Sequence, residues 1–204
     1  MISKLQHITQ GSNPEEHLTQ IETFCKAGGK WTQLRIKNCG IDDYIKIANE
    51  ARRITSLFDC VLIINDHIEV AKAVKADGVH LGKTDTSTED ARKALGNNVI
   101  IGRTCNTMND IIKYHKEAIN YIGLGPFRFT QTKKQLDPIL GLEGYRTILN
   151  TCVEKEIKLP VIAIGGIEIN DLPELFQTGI YGVAISSAIN KYPQDIKQFL
   201  NLLK

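Results

Sequence analysis

Short apolar runs rich in β-branched residues recur along the chain, separated by stretches whose apolar residues fall at helical spacing. The runs predict strands near 5–9, 31–37, 61–66, 78–82, 99–104, 121–126, 161–166 and 182–187. Val61-Leu62-Ile63-Ile64 and Val161-Ile162-Ala163-Ile164 are apolar at every position. That is how strands read when helices cover both faces of a parallel sheet. Pro14-Glu15-Glu16 opens a first helix, with Leu18, Ile21, Phe24 and Cys25 on one face and Gly28-Gly29 behind it. Residues 42–57 set Tyr44, Ile47, Ala48, Ala51 and Ile54 on one stripe. Thr86-Ser87-Thr88-Glu89-Asp90 reads as a helix start before Ala91, Ala94 and Leu95. Asn170-Asp171-Leu172-Pro173 begins another that Gly179 closes, and a last one runs from Pro193 to Leu203.

Strands alternating with helices at this rhythm predict a right-handed βα array. Eight strands favour closure into a single (β/α)8 TIM barrel, one domain over 1–204, with an open doubly wound sheet as the alternative. At 204 residues the chain is short for that barrel, so its connections must be compact. The longest, 127–160, is expected to hold a mobile loop followed by the sixth helix.

Composition narrows the partners. With 42% hydrophobic residues, 24% charged and a net charge of +2, nothing favours nucleic acid or a membrane as partner. The five cysteines are well separated and form no CxxC pair, which suggests neither a disulfide framework nor a structural zinc site. The N-terminus lacks a signal-peptide pattern and no apolar run approaches a membrane span. A cytoplasmic protein is expected, and a homo-oligomer stays open.

Active sites of βα barrels form at the C-terminal strand ends, and polar residues collect there. The second strand ends Gln33-Leu34-Arg35-Ile36-Lys37, and alternation directs Gln33, Arg35 and Lys37 to one face, expected to be the interior. Two cations there call for an anion, and a guanidinium beside an ammonium suits a phosphate or diphosphate. Asn65-Asp66 ends the third strand, and Asp85 follows the fourth. Each aspartate alone reads as a helix N-cap. Together, near Arg35 and Lys37, they favour Mg²⁺, which takes one or two carboxylates plus water and phosphate oxygens. His80 is expected to pack or hydrogen-bond inside the barrel, and Cys105 to pack rather than attack.

The sixth strand runs into Phe127-Arg128-Phe129-Thr130-Gln131-Thr132-Lys133-Lys134, whose hydroxyls and lysines suit a phosphate-gripping lid over 127–135. Gly165-Gly166 after strand seven and Ser186-Ser187 after strand eight match the usual position of a phosphate site in this fold. Small phosphorylated molecules are therefore the expected ligands.

These motifs together resemble the thiamine-phosphate synthase (thiamine-phosphate pyrophosphorylase) family, over residues 5 to 190. The resemblance rests on Gln33-x-Arg35-x-Lys37, Asn65-Asp66, Asp77-Gly78-Val79-His80-Leu81-Gly82 running to Asp85, Gly123-Leu124-Gly125-Pro126 running to Thr130-x-Thr132-Lys133, and the Gly-Gly and Ser-Ala-Ile endings. It implies a transferase that joins a pyrimidine methyl diphosphate to a thiazole phosphate or its carboxylated form, releasing pyrophosphate by ionisation and capture. It further implies that Gln33, Arg35, Lys37, Asn65, Thr104 and Lys133 contact the pyrimidine diphosphate, with Arg35, Lys37, Thr104 and Lys133 acting in catalysis. Asp66 and Asp85 would hold Mg²⁺. Thr130, Thr132, Gly165, Gly166, Ser186 and Ser187 would position the thiazole phosphate.

Three positions depart from the family pattern: Ile36 stands where glutamate is usual, Thr104 where serine is common, and Asn106 where histidine is frequent. Rival readings are a thiazole tautomerase, a phosphosugar isomerase or epimerase, and a noncatalytic thiazole-phosphate or thiamine-phosphate binding protein. The tautomerase needs a histidine after the sixth strand, where this chain has Gly125-Pro126-Phe127.

Overall fold

The computed structural model describes residues 2–129 and 138–203. Its strands are β1 (Leu5–Ile8), β2 (Trp31–Leu34), β3 (Val61–Asn65), β4 (Gly78–Leu81), β5 (Ile100–Cys105), β6 (Tyr121–Leu124), β7 (Val161–Ile164) and β8 (Gly182–Ile185). They pair in parallel, in sequence order, and close into a barrel. The seam settles the topology: Leu5 pairs with Val183, Gln6 with Ala184 and His7 with Ile185, which no open sheet allows. The helices are α1 (Pro14–Lys26), α2 (Ile41–Leu57), α3 (Ile68–Ala73), α4 (Thr88–Leu95), α5 (Met108–Tyr114), α6 (Gly141–Glu154), α7 (Leu172–Gln177), α8 (Ser187–Lys191) and α9 (Ile196–Leu202).

Period-two alternation splits the buried side chains into two cores. Leu34, Leu62, Ile64, Val79, Ile101, Ile122 and Val183 point outward and pack with the helices. Ile8, Trp31, Ile63, Tyr121, Ile162 and Ala184 form a separate cluster inside the barrel. Two large rings fit there because the neighbouring strand supplies no side chain. A Cβ on Gly102 would lie 2.1 Å from Cζ of Tyr121, whose ring meets Trp31 edge-on at 5.0 Å.

Helix ends follow local chemistry. The side chains of Asn13, Ser87 and Thr107 accept from the backbone N–H groups of Glu16, Asp90 and Asp110. Gly179 takes φ 93° just beyond α7, a left-handed stop that a Cβ would resist.

One boundary matters for function. β2 stops at Leu34 rather than reaching residue 37. There the Leu34 carbonyl accepts from Tyr44 Oη at 2.8 Å, and the Arg35 N–H donates to Thr9 Oγ1 at 3.0 Å. Side chains thus replace the sheet ladder as partners, and the chain turns away. Gln33 remains buried on the strand, whereas Arg35 and Lys37 lie on the loop beyond it and are not interior residues by alternation.

Candidate active site

Neither aspartate caps a helix. The N-cap of α3 is His67 and that of α4 is Ser87. Asp66 lies just past the end of β3 with φ 65°, a strained conformation for a residue with a Cβ. Its N–H donates to the His80 carbonyl at 2.8 Å, and the next N–H turns back to the Asn65 carbonyl at 2.8 Å. The loop after β4 is shaped by Asp85, whose Oδ2 accepts from the Gly82 N–H at 2.6 Å.

These turns bring the two carboxylates within hydrogen-bonding reach of each other. Burial first, then Asp85, pushes the Asp66 carboxyl well above its ordinary range, with Arg35 and Asn65 opposing the rise. Two carboxylates that cannot comfortably both ionise form the donor set a divalent cation would relieve. Among the described residues no cluster of three or more histidine, cysteine or acidic side chains exists. The donor chemistry of this pair fits Mg²⁺, which takes one or two carboxylates and draws its other ligands from water and phosphate.

Beneath this pair runs a buried polar chain. His80 Nε2 meets Thr104 Oγ1 at 2.9 Å and Nδ1 meets Tyr121 Oη at 2.9 Å. Gln6 Nε2 donates to the same phenol oxygen at 3.3 Å. His80 thus bonds within the barrel, as its strand position predicts. Burial holds its pKa down to about 4, so the ring is neutral near pH 7.

Sequence reasoning passed over Arg103. It is buried, stacks over the Tyr114 ring at 4.4 Å, and donates to the Thr86 carbonyl at 3.0 Å. It therefore braces the loop that carries Asp85. A lone buried cation on an apolar strand is the signal that could have found it. Cys105 is fully buried and its thiol is pushed up to about 12 by burial, which removes it as a nucleophile. Asn106 is also buried, and its amide donates to the Gly125 carbonyl, so here this position secures the loop leaving β6.

That loop is stitched to the end of β7. The N–H groups of Phe127 and Arg128 donate to the carbonyls of Ile164 and Gly165 at 2.9 and 3.0 Å. Arg128 also reaches the Gly166 carbonyl and grips Asp171 with two bonds, all at 2.7 Å. Gly165 and Gly166 both take positive φ, 101° and 66°, and a Cβ on Gly165 would press on Pro126 at 2.8 Å. Ser186 accepts from Asn190 Nδ2 at 3.3 Å, and Ser187 lies exposed at the start of α8. Thr130, Thr132 and Lys133, with most of the expected lid, lie outside the described residues.

A closed parallel barrel with its ionisable groups gathered at the C-terminal strand ends is the architecture of the βα-barrel enzymes. The family model for thiamine monophosphate synthase matches residues 5–189, and the chain belongs to that family. It is 42% identical over 204 residues to a thiamine-phosphate synthase of Flavobacterium psychrophilum, covering 100% of this chain and 99% of the relative. A thiamine-phosphate synthase of Bacteroides fragilis is 41% identical, with 98% of each chain covered. Among solved structures, a thiamine phosphate pyrophosphorylase from Pyrococcus furiosus superposes with a TM-score of 0.82 at 30% identity, over 98% of this chain and 93% of the other.

Proposed function

We propose that this protein is a transferase that condenses a pyrimidine methyl diphosphate with a thiazole phosphate, giving thiamine phosphate and pyrophosphate. The observation that carries the reading is the convergence of Arg35, Asp66 and Asp85 at one barrel mouth, in a chain that matches named synthases over nearly their whole length. Mg²⁺, held by Asp66 and Asp85, would neutralise the diphosphate as it departs. Arg35, Lys37 and Lys133 supply fixed positive charge for the same leaving group. Gln33, Asn65 and Thr104 add polar contacts to the pyrimidine diphosphate, whose ring stabilises the cation left when the carbon–oxygen bond ionises.

The thiazole nitrogen then captures that cation, so the protein supplies no nucleophile, in keeping with the inert Cys105. Gly165, Gly166, Ser186 and Ser187, with Thr130 and Thr132, hold the thiazole phosphate close enough for capture to outrun water. Support for this half comes from the left-handed Gly-Gly turn and the exposed Ser187 facing the same barrel end. Tautomerase chemistry lacks its histidine: the last one in the chain is His115, ahead of β6. A cytoplasmic setting belongs to the same proposal, supported by five free cysteines.

The test is purified protein with pyrimidine diphosphate, thiazole phosphate and Mg²⁺, assayed for thiamine phosphate and pyrophosphate in equal amounts. Tight binding of either substrate without product would instead identify a binding protein.

A further inference from the structure

The chain Gln6–Tyr121–His80–Thr104 has a direction, which follows from counting protons. The phenol oxygen of Tyr121 accepts from the Gln6 amide. Its own single proton then has one acceptor among the described residues, Nδ1 of His80. A neutral imidazole that accepts at Nδ1 carries its proton on Nε2. Nε2 therefore donates to Thr104 Oγ1. The Thr104 hydroxyl, with its oxygen already engaged from below, keeps its proton free, and no described residue accepts it.

The surroundings say where that proton points. Thr104 is half-buried near the C-terminal end of β5, while His80, Tyr121 and Gln6 beneath it are buried. The charges that bear on the His80 ring are Arg103, Asp85 and Arg35, two of them from the candidate site. Glycines make room for the chain. A Cβ on Gly123 would lie 3.0 Å from Cε1 of His80, and one on Gly102 would lie 2.5 Å from Tyr121 Oη.

We propose that Tyr121 and His80 are positioning residues that lock the Thr104 hydroxyl as a hydrogen-bond donor directed out of the barrel into the anion site. The proposal rests on the synthase reading for the identity of the anion, the diphosphate of the pyrimidine substrate. Without the phenol proton, His80 is free to move its own proton to Nδ1. Nε2 would then accept from Thr104 and turn the hydroxyl away from the anion. Tyr121→Phe should therefore impair a site it never touches.

The first measurement is ¹⁵N NMR of histidine-labelled wild-type protein near pH 7.5, with His80→Gln to assign the signal. The expected result is a protonated Nε2 and a bare Nδ1; a protonated Nδ1 overturns the proposal. The second is a double-mutant cycle between Tyr121→Phe and Thr104→Ala, read as synthase kcat and as binding of inorganic pyrophosphate with Mg²⁺. Each single change should lower both by about tenfold, the worth of one hydrogen bond to a charged group. Tyr121→Phe should add less than about twofold once Thr104 is alanine, and Thr104→Ser should restore the wild-type response. Equal losses from Tyr121→Phe with or without the Thr104 hydroxyl would mark a purely structural role and overturn the proposal. If Tyr121→Phe fails to fold, the wild-type tautomer alone decides. A protein that makes no thiamine phosphate, yet shows the Nε2 proton and hydroxyl-dependent pyrophosphate binding, refutes the synthase reading and upholds the directed hydroxyl.

Discussion

Two histidines buried inside the fold should make this protein unusually sensitive to mild acid. His7 bonds Thr32 through Nδ1 and Asn190 through Nε2, both within 2.9 Å, and burial lowers its pKa from 6.5 to about 4. His80 is lowered to the same value, again mainly by burial. The native rings refuse protons that the unfolded chain accepts between pH 6.5 and 4. Stability is therefore complete above pH 6.5, falls as pH drops through that value, and stops falling below about 4. At about 1.4 kcal/mol per pH unit, each ring removes ~2 kcal/mol by pH 5, or ~4 kcal/mol for the pair. His17, also held down by burial, acts in the same sense.

Asp66 opposes them, because its raised pKa makes the folded state gain stability as pH falls. The measurement therefore belongs in Asp66→Asn protein. Carboxylates whose pKa falls on folding, such as Asp110 and Asp171, lose their contribution only as pH drops toward and below 3.8. Urea unfolding followed by Trp31, the sole and fully buried tryptophan, should show its midpoint falling by ~1.5 M between pH 7.5 and 5.0. An unchanged midpoint would mean that these rings accept protons in the native state and are not sealed in the barrel.

Asp66→Asn and Asp85→Asn should each lower kcat/KM by at least ~100-fold at limiting Mg²⁺, measured as pyrophosphate release. Asp66→Asn should also raise the melting temperature of metal-free protein at pH 8, by removing a buried like charge. Gly102→Ala forces a methyl against the Tyr121 ring and should cost about 2–3 kcal/mol in urea unfolding. Arg128→Ala frees the Gly166 carbonyl and Asp171; being partly exposed, the pair should cost only ~1 kcal/mol, while KM for thiazole phosphate rises several-fold. Cys105→Ala should leave kcat within about twofold and cost ~1 kcal/mol from the cavity.

The fold was legible because each strand is a short β-branched run with a turn behind it, and all eight predicted strands overlap the observed ones. What periodicity missed is where a strand stops. At Leu34 the ladder ends because Tyr44 and Thr9, distant in sequence, take over the hydrogen bonds. Asp66 and Asp85 stood out in the sequence as residue types, but each looked like a cap. Taken together they pointed to one barrel mouth, and the structure adds that neither caps a helix, Asp66 turning at positive φ and Asp85 holding the Gly82 turn. Arg103 left one signal, a lone cation on an apolar strand, but the Tyr121–His80 chain left none, because its partners lie on different strands and no local pattern announces a polar network inside a barrel.

The seam between β1 and β8 also sets a rule for how the protein can be made. β1 emerges from the ribosome first and holds one edge unpaired until residues 182–185 arrive to take it. Closure is then secured by further bonds at the seam: the Val183 N–H donates to the Lys4 carbonyl at 2.8 Å, and Tyr181 Oη donates to the Ile2 carbonyl at 2.7 Å. A nascent chain released before β8 carries two open strand edges, on β1 and β7. Such a fragment is a client for chaperones and proteases rather than a weaker enzyme, so translation to the last strand serves as the molecule's own quality gate.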